Sequence, residues 1–242
     1  MNIPGHDPNV IESGLSDLEG KAALLIRDLN AAPRLPTLSE LEVLVNFVAL
    51  QAVRVPAHRS PLAEFIEDVG KDVLRISTQT PERFELMMQR LRASGYDVPE
   101  SSFENWRRYV EREDVVKANQ TWLVQLMLEQ MGTVLKALEY RHWHLCVLRP
   151  GAPDLVCSDN PVRVTRVRGL PRLPAGFMDP NTDVTMPLTK RLMLMATFEG
   201  PGQLTEVGEQ QVAKFNITTV NGALRQVYAP AREMYGFRKL QP

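Results

Sequence analysis

The sequence predicts an α+β protein, an N-terminal helical bundle packed on a small, mostly antiparallel C-terminal sheet. Apolar residues recur at helical spacing through the first 140 or so positions. From His142 onward the period shortens to that of a strand. Two β-rich runs then flank the turn Ser158-Asp159-Asn160-Pro161. The 242 residues suit a single domain, helical over 1–140 and mixed strand and helix over 141–242.

The helices follow in order. After a Pro/Gly lead-in over residues 1–9, Ile11, Leu15, Leu18, Ala22, Leu25 and Leu29 share one helix face until Pro33 and Pro36 interrupt it. Thr37 or Ser39 caps a second helix that carries Leu41, Leu44, Val45, Val48 and Ala52 and ends or kinks at Pro56. Ser60-Pro61 opens a third, with proline at the first-turn position where its missing donor costs little. Thr80-Pro81-Glu82 opens a fourth, stopped by Gly95. Residues 99–113 hold a short helix, and residues 115–140 a long one with Trp122, Leu123, Leu126, Met127 and Leu138 inward.

Strands are expected over 142–148, 155–157, 162–167, 184–188 and 192–198, with a Pro/Gly-rich loop over 169–181. Gly200-Pro201-Gly202 is a turn, residues 206–224 read as one helix, and 226–228 as a last short strand.

Composition excludes several classes. With 28 basic and 29 acidic residues the formal charge is −1, so no global field attracts nucleic acid or an anionic membrane. A nucleic-acid partner would rest on local patches only: Trp106-Arg107-Arg108-Tyr109, with Arg112 and Lys117 nearby, or the run Arg163, Arg166, Arg168 and Arg172. Acidic residues are interleaved with the first patch, which reads more simply as a solvated helix face. Cys146 and Cys157, the two cysteines, sit among apolar neighbours and read as thiols of a reducing compartment, a disulfide being the other reading. The first residues lack the basic and apolar regions of a signal peptide, and no apolar run approaches the ~20 residues of a membrane span. A cytoplasmic protein without a membrane partner is the expectation; oligomeric state is not legible.

Three groups of residues could carry chemistry. In the Ser-Asp-Asn-Pro turn, Pro161 removes a donor and biases Asn160 toward extended geometry. That sets Asp159 at the mouth of a sheet, where a carboxylate could act as a base, bind a metal or hold a cation. Ser158 and Asn160 are the adjacent ligand-binding candidates. The simpler reading is a turn in which Asp159 bonds to nearby backbone N–H groups. Gln51, Arg54 and His58 form a second group, along one stripe of an apolar helix. Arg54 there needs an anion: a ligand, or Glu12, Glu19 or Asp159. Pairing with Asp159 would tie the two halves together and place a ligand cleft between helices and sheet. Third, His142, His144 and Cys146 alternate onto one strand face, an arrangement that suits a metal, although no third and fourth ligand set is evident. No cofactor signature is present, and a divalent metal is the one cofactor these groups would accept. Phosphate loops, serine-hydrolase elbows and zinc-protease motifs are absent.

Several segments together carry a family resemblance. These are Leu18-Glu19-Gly20-Lys21-Ala22-Ala23, the run from Phe47 to Pro56, Trp143 followed by Ser158-Asp159-Asn160-Pro161-Val162, Met186-Pro187-Leu188-Thr189, and Phe215-Asn216 through Tyr228. In these the chain resembles the bacterial family known as domain of unknown function 4238, over most of its length from about residue 10. Members usually begin with a His-x-x-Pro segment and an aromatic, Arg-containing strand. Met1-Asn2-Ile3-Pro4-Gly5-His6 does not supply it, so activity that depends on that His, and one strand of the sheet, are not expected here. The resemblance implies no activity of its own. From the residues, the expected function is a binding or regulatory protein with Gln51, Arg54 and Asp159 rimming a cleft. The alternative is a hydrolase or nuclease acting on a phosphate or amide, with Arg54 as oxyanion clamp and Asp159 as base or metal ligand.

Overall fold

The structure, a computed structural model, describes residues 10–54, 56–95, 102–111, 120–168 and 175–230, and their side chains except at 10–11, 56–66 and 120–125. Met1 to His6, Arg112, Lys117, Arg172 and the side chains of His58, Trp122 and Leu123 lie outside it. The chain divides into two compact units, one of residues 1–57 with 127–242 and one of residues 58–126.

In the first unit, α1 (Val10–Ala31) and α2 (Leu38–Arg54) pack side by side. Thr37 is the residue that caps α2. Its N–H donates to the Glu40 carboxylate at 2.8 Å and its hydroxyl accepts the Glu40 N–H at 3.4 Å, a reciprocal cap. Arg34 fixes the connection by bridging Asp28 and Glu40, each at 2.7 Å. The later residues of α6 (Gln120–Glu139) also belong to this unit.

The sheet follows: β1 (His142–Leu148), β2 (Cys157–Ser158), β3 (Arg163–Arg166), β4 (Thr182–Pro187), β5 (Leu192–Thr197), β6 (Leu204–Val207), α7 (Glu209–Asn221) and β7 (Val227–Tyr228). Five strands form one sheet in the order β3-β4-β5-β1-β6, antiparallel except for the β1–β6 pair, while β2 and β7 pair separately. Trp143, Leu145, Val184, Met186, Leu194 and Ala196 point to one face and form a core with Leu29, Leu44, Val48, Ala49 and Leu138 from α1, α2 and α6. The opposite face buries Cys146, Leu148 and Met193 against Val212 and Phe215 of α7. Both cysteines are free, Cys146 buried and Cys157 half-buried. Burial pushes the Cys146 thiol up to about 11 and raises that of Cys157.

Two elements differ from the sequence reading. Residues 206–224 are not one helix: Leu204–Val207 is a strand beside β1, and Gly208, in extended geometry, starts α7. Pairing at a free sheet edge overrides the weak helical period of those residues. The connection reaches β1 through Gly202, where a Cβ would collide with the Trp143 carbonyl oxygen, so glycine permits the close approach.

The second difference is in α3 (Pro56–Ser77), which starts at Pro56 rather than Ser60-Pro61. Either proline suits a first turn; with Pro56 there, Pro61 lies inside the helix without a backbone donor. The second unit continues with α4 (Pro81–Ala93) and α5 (Phe103–Val110), capped by the Thr80 and Ser102 hydroxyls. Gly95, with φ +83°, follows the end of α4. Trp106 packs edge-on against Tyr109, ring centres 5.8 Å apart, and tilted against Phe84 at 6.2 Å.

Among the described residues no helix is long and apolar enough to cross a membrane.

Candidate functional site

The Ser158-Asp159-Asn160-Pro161 turn leaves β2 and meets the segment that joins α7 to β7. The Ser158 hydroxyl donates to the Asn160 carbonyl at 2.9 Å and accepts the Asn160 N–H at 3.2 Å, closing the turn on itself. The Asp159 carboxylate accepts three successive backbone N–H groups, from Leu224 at 2.9 Å, Arg225 at 2.8 Å and Gln226 at 3.2 Å. The Asp159 N–H donates to the Gln226 carbonyl at 3.1 Å. The Asn160 amide donates to the Gly222 carbonyl at 3.0 Å. The turn is therefore a clamp on main chain more than sixty residues away.

The clamp makes stability pH-dependent. Partial burial pushes the Asp159 carboxyl up, but the three N–H donors together hold it below its usual value. A carboxylate whose folded value is depressed stabilises fully above its unfolded value, about 3.9, and loses that contribution as pH falls through the folded value. Asp159→Ala should lower Tm by roughly 3–6 °C at neutral pH. The gap to wild type should hold down to about pH 4 and close below it. Thermal unfolding of both proteins from pH 7 to pH 2.5 measures this; a gap that widens toward low pH would contradict the clamp.

Arg54, at the exposed end of α2, forms its ion pair with Glu19 of α1. Of the acids the sequence offers Arg54, Glu19 is its partner and Asp159 is not, because α1 lies beside α2 and presents an acid there. An exposed pair of this kind adds little to stability. Gln51 is half-buried on the same helix. A groove of about 490 Å³ between α1 and α2 is lined by Lys21, Leu24, Leu25, Asp28, Ser39, Glu40 and Val43. Another, of about 280 Å³, lies beside β2 between Leu155, Cys157, Pro187, Lys190 and Tyr228. Gln51, Arg54 and Asp159 line neither of them.

His142, His144 and Cys146 share a sheet face, as their alternation implies, but only His142 is exposed. His144 is buried, with Nε2 2.9 Å from the Thr197 hydroxyl. That hydroxyl donates its single proton to the Glu199 carbonyl at 2.8 Å, so toward His144 it accepts. Nε2 therefore carries the ring hydrogen and Nδ1 the lone pair. Nδ1 is buried without a hydrogen-bond partner. Burial lowers the His144 pKa, with His142 acting in the same sense and Asp183 opposing, so the ring is neutral. Among the described residues no three His, Cys, Asp or Glu side chains come together to hold a metal ion.

Of the basic run, Arg166 pairs with Asp179 at 2.5 Å and Arg168 with Glu199 at 2.7 Å. Arg163 is half-buried and donates to the Gly222 carbonyl at 3.4 Å, its guanidinium filling the space a Cβ at Gly222 would need.

Several contributors escape sequence reasoning. Arg141, just before β1, is buried and donates to the carbonyls of Phe177, Thr182 and Ala196 and to the Thr182 hydroxyl. Its guanidinium also lies 4.2 Å from the Phe198 ring centre. Burial pulls its pKa down, opposed by Asp183 and Asp179. Asn216 on α7 accepts the Val156 N–H and donates to the Asp154 carbonyl, each at 3.0 Å. Asp183 lies on the β4 face that carries Thr185. The one available signal was an arginine directly before an apolar strand.

These features define an α+β scaffold in which long-range side-chain bonds to main chain hold the C-terminal half together. The chain belongs to the family described as protein of unknown function (DUF4238), whose model matches residues 2–233. No curated protein and no solved structure matches the chain.

Proposed function

We propose that this protein is a binding or regulatory module of the bacterial cytoplasm that holds its ligand without turning it over. The observation that supports this most directly is the environment of Asp159. A general base or metal ligand needs a carboxylate directed at substrate; this one receives three main-chain N–H groups. Arg54, the other half of the proposed catalytic pair, has Glu19 as its counter-ion. Of the ligand-binding candidates, Ser158 and Asn160 shape the turn, and the Gln51 side chain makes no hydrogen bond among the described residues. The free thiols of Cys146 and Cys157 are in keeping with a reducing compartment.

A hydrolase or nuclease acting on a phosphate or amide is the competing reading. Incubation with bis(p-nitrophenyl) phosphate and with a p-nitroanilide, in Mg²⁺ or Mn²⁺, separates the two. Wild type and Asp159→Ala should release nitrophenol and nitroaniline at the same background rate. Turnover by wild type that vanishes in a variant still folded by circular dichroism would overturn the binding reading.

A further inference from the structure

The sheet face shared with α7 is apolar only where α7 covers it. Beyond Cys146 and Met193 the same face carries His142, His144, Thr197, Thr165 and Asp183. Val184 stands opposite Ala196 and Thr165 opposite Asp183, so Asp183 and Thr197 occupy neighbouring positions one residue beyond the β4–β5 pairs. Thr197 in turn stands opposite His142 and accepts from His144. One continuous polar stretch therefore crosses β1, β5, β4 and β3.

Two acceptors on it lack a hydrogen-bond partner among the described residues. His144, 5 % exposed, has a buried Nδ1 with no hydrogen-bond partner among the described residues. This tautomer is the one that lets Thr197 keep both its contact to His144 and its bond to the Glu199 carbonyl. The Asp183 carboxyl is half-buried and makes no hydrogen bond or ion pair among the described residues. Burial raises its pKa, while Arg141, His144 and Arg168 oppose that rise. Neither arginine bonds to it. Arg141 donates to carbonyls and to the Thr182 hydroxyl, Arg168 pairs with Glu199, and Arg163 lies against Gly222. An unsatisfied buried acceptor beside an unpaired carboxylate is costly, and both costs fall on a single N–H-bearing cation.

We propose that the His144–Thr197–Asp183 face binds a small organic ammonium, with an N–H donating to His144 Nδ1 and the charge set against Asp183. This names a ligand class for the binding module and rests on that reading. A quaternary ammonium lacks the N–H and does not fit. A divalent metal would need more ligands than this face gathers among the described residues.

The test is nitrogen-15 NMR of the histidine rings during titration with n-butylammonium, with tetramethylammonium and Mn²⁺ as separate arms. In the free protein His144 should show a bare Nδ1 and a protonated Nε2. Butylammonium should move Nδ1 saturably and raise Tm, tetramethylammonium should do neither, and Asp183→Asn should weaken the butylammonium response about tenfold or more. A protonated Nδ1 in the free protein, no response to butylammonium, an equal response to tetramethylammonium, or saturable Mn²⁺ broadening in its place would each overturn the proposal. Turnover in the nitrophenyl assays would remove the binding-module reading and leave the NMR result standing. A flat titration would remove this site and leave the assay result standing.

Discussion

Arg141→Met should cost about 3–5 kcal/mol of folding stability, the largest effect expected of any single change described above. The residue is 4 % exposed, and its guanidinium donates to Thr182 O at 2.6 Å, Phe177 O at 2.7 Å, Thr182 Oγ1 at 2.8 Å and Ala196 O at 3.3 Å. Methionine fills much of the volume but supplies no donor, so the strand ends of β4 and β5 and the loop at Phe177 lose their shared anchor together. Lysine keeps the charge but not the planar fork, and Arg141→Lys should recover only part of the loss. Urea unfolding followed by tryptophan fluorescence measures both. A cost below about 1 kcal/mol for the methionine variant would mean the acceptors find other donors easily.

Asn216→Leu should cost about 2–4 kcal/mol. The substitution nearly conserves volume, so the loss isolates the two hydrogen bonds. Without the amide, the Val156 N–H and the Asp154 carbonyl are left unpaired beneath α7, and a buried unmet polar group costs more than a bond formed in water gains. Asn216→Asp retains the acceptor for Val156 but sets a carboxylate oxygen against the Asp154 carbonyl. It should therefore be as unstable as the leucine variant at pH 7 and recover as acid protonates it. Equal stability of the aspartate variant and wild type at pH 7 would contradict this account.

What the sequence reveals depends on how local the cause is. The alternation of β1 is legible because each residue declares its own face: Trp143 and Leu145 lie in the helix-side core, while His144 and Cys146 lie on the other. The Thr37 cap and the glycine after α4 are legible for the same reason. Ser158 to Pro161 reads correctly as a turn, but the partners of Asp159 are 65 to 67 residues away, and no local pattern names Leu224, Arg225 or Gln226. Arg54 shows the same division. That it needs an acid follows from its helix, and Glu19 was among the candidates, but the choice is made by how α1 lies against α2. Strand β6 was missed because four residues at a sheet edge take their conformation from β1.

The placement of β1 bears on how the molecule assembles. β5 and β6 follow one another closely in the chain and run in opposite directions, as the arms of a hairpin would, but β1 lies between them. That strand ends at Leu148, well before Leu192 and Leu204 begin its two neighbours. Synthesis in chain order thus leaves β1 without either partner until its C-terminal sequence emerges, and the two arms must be kept from closing on each other. A slot one strand wide, filled from earlier in the chain, makes the sheet a joint product of both halves. Neither the residues up to Leu148 nor those after it can complete the sheet alone.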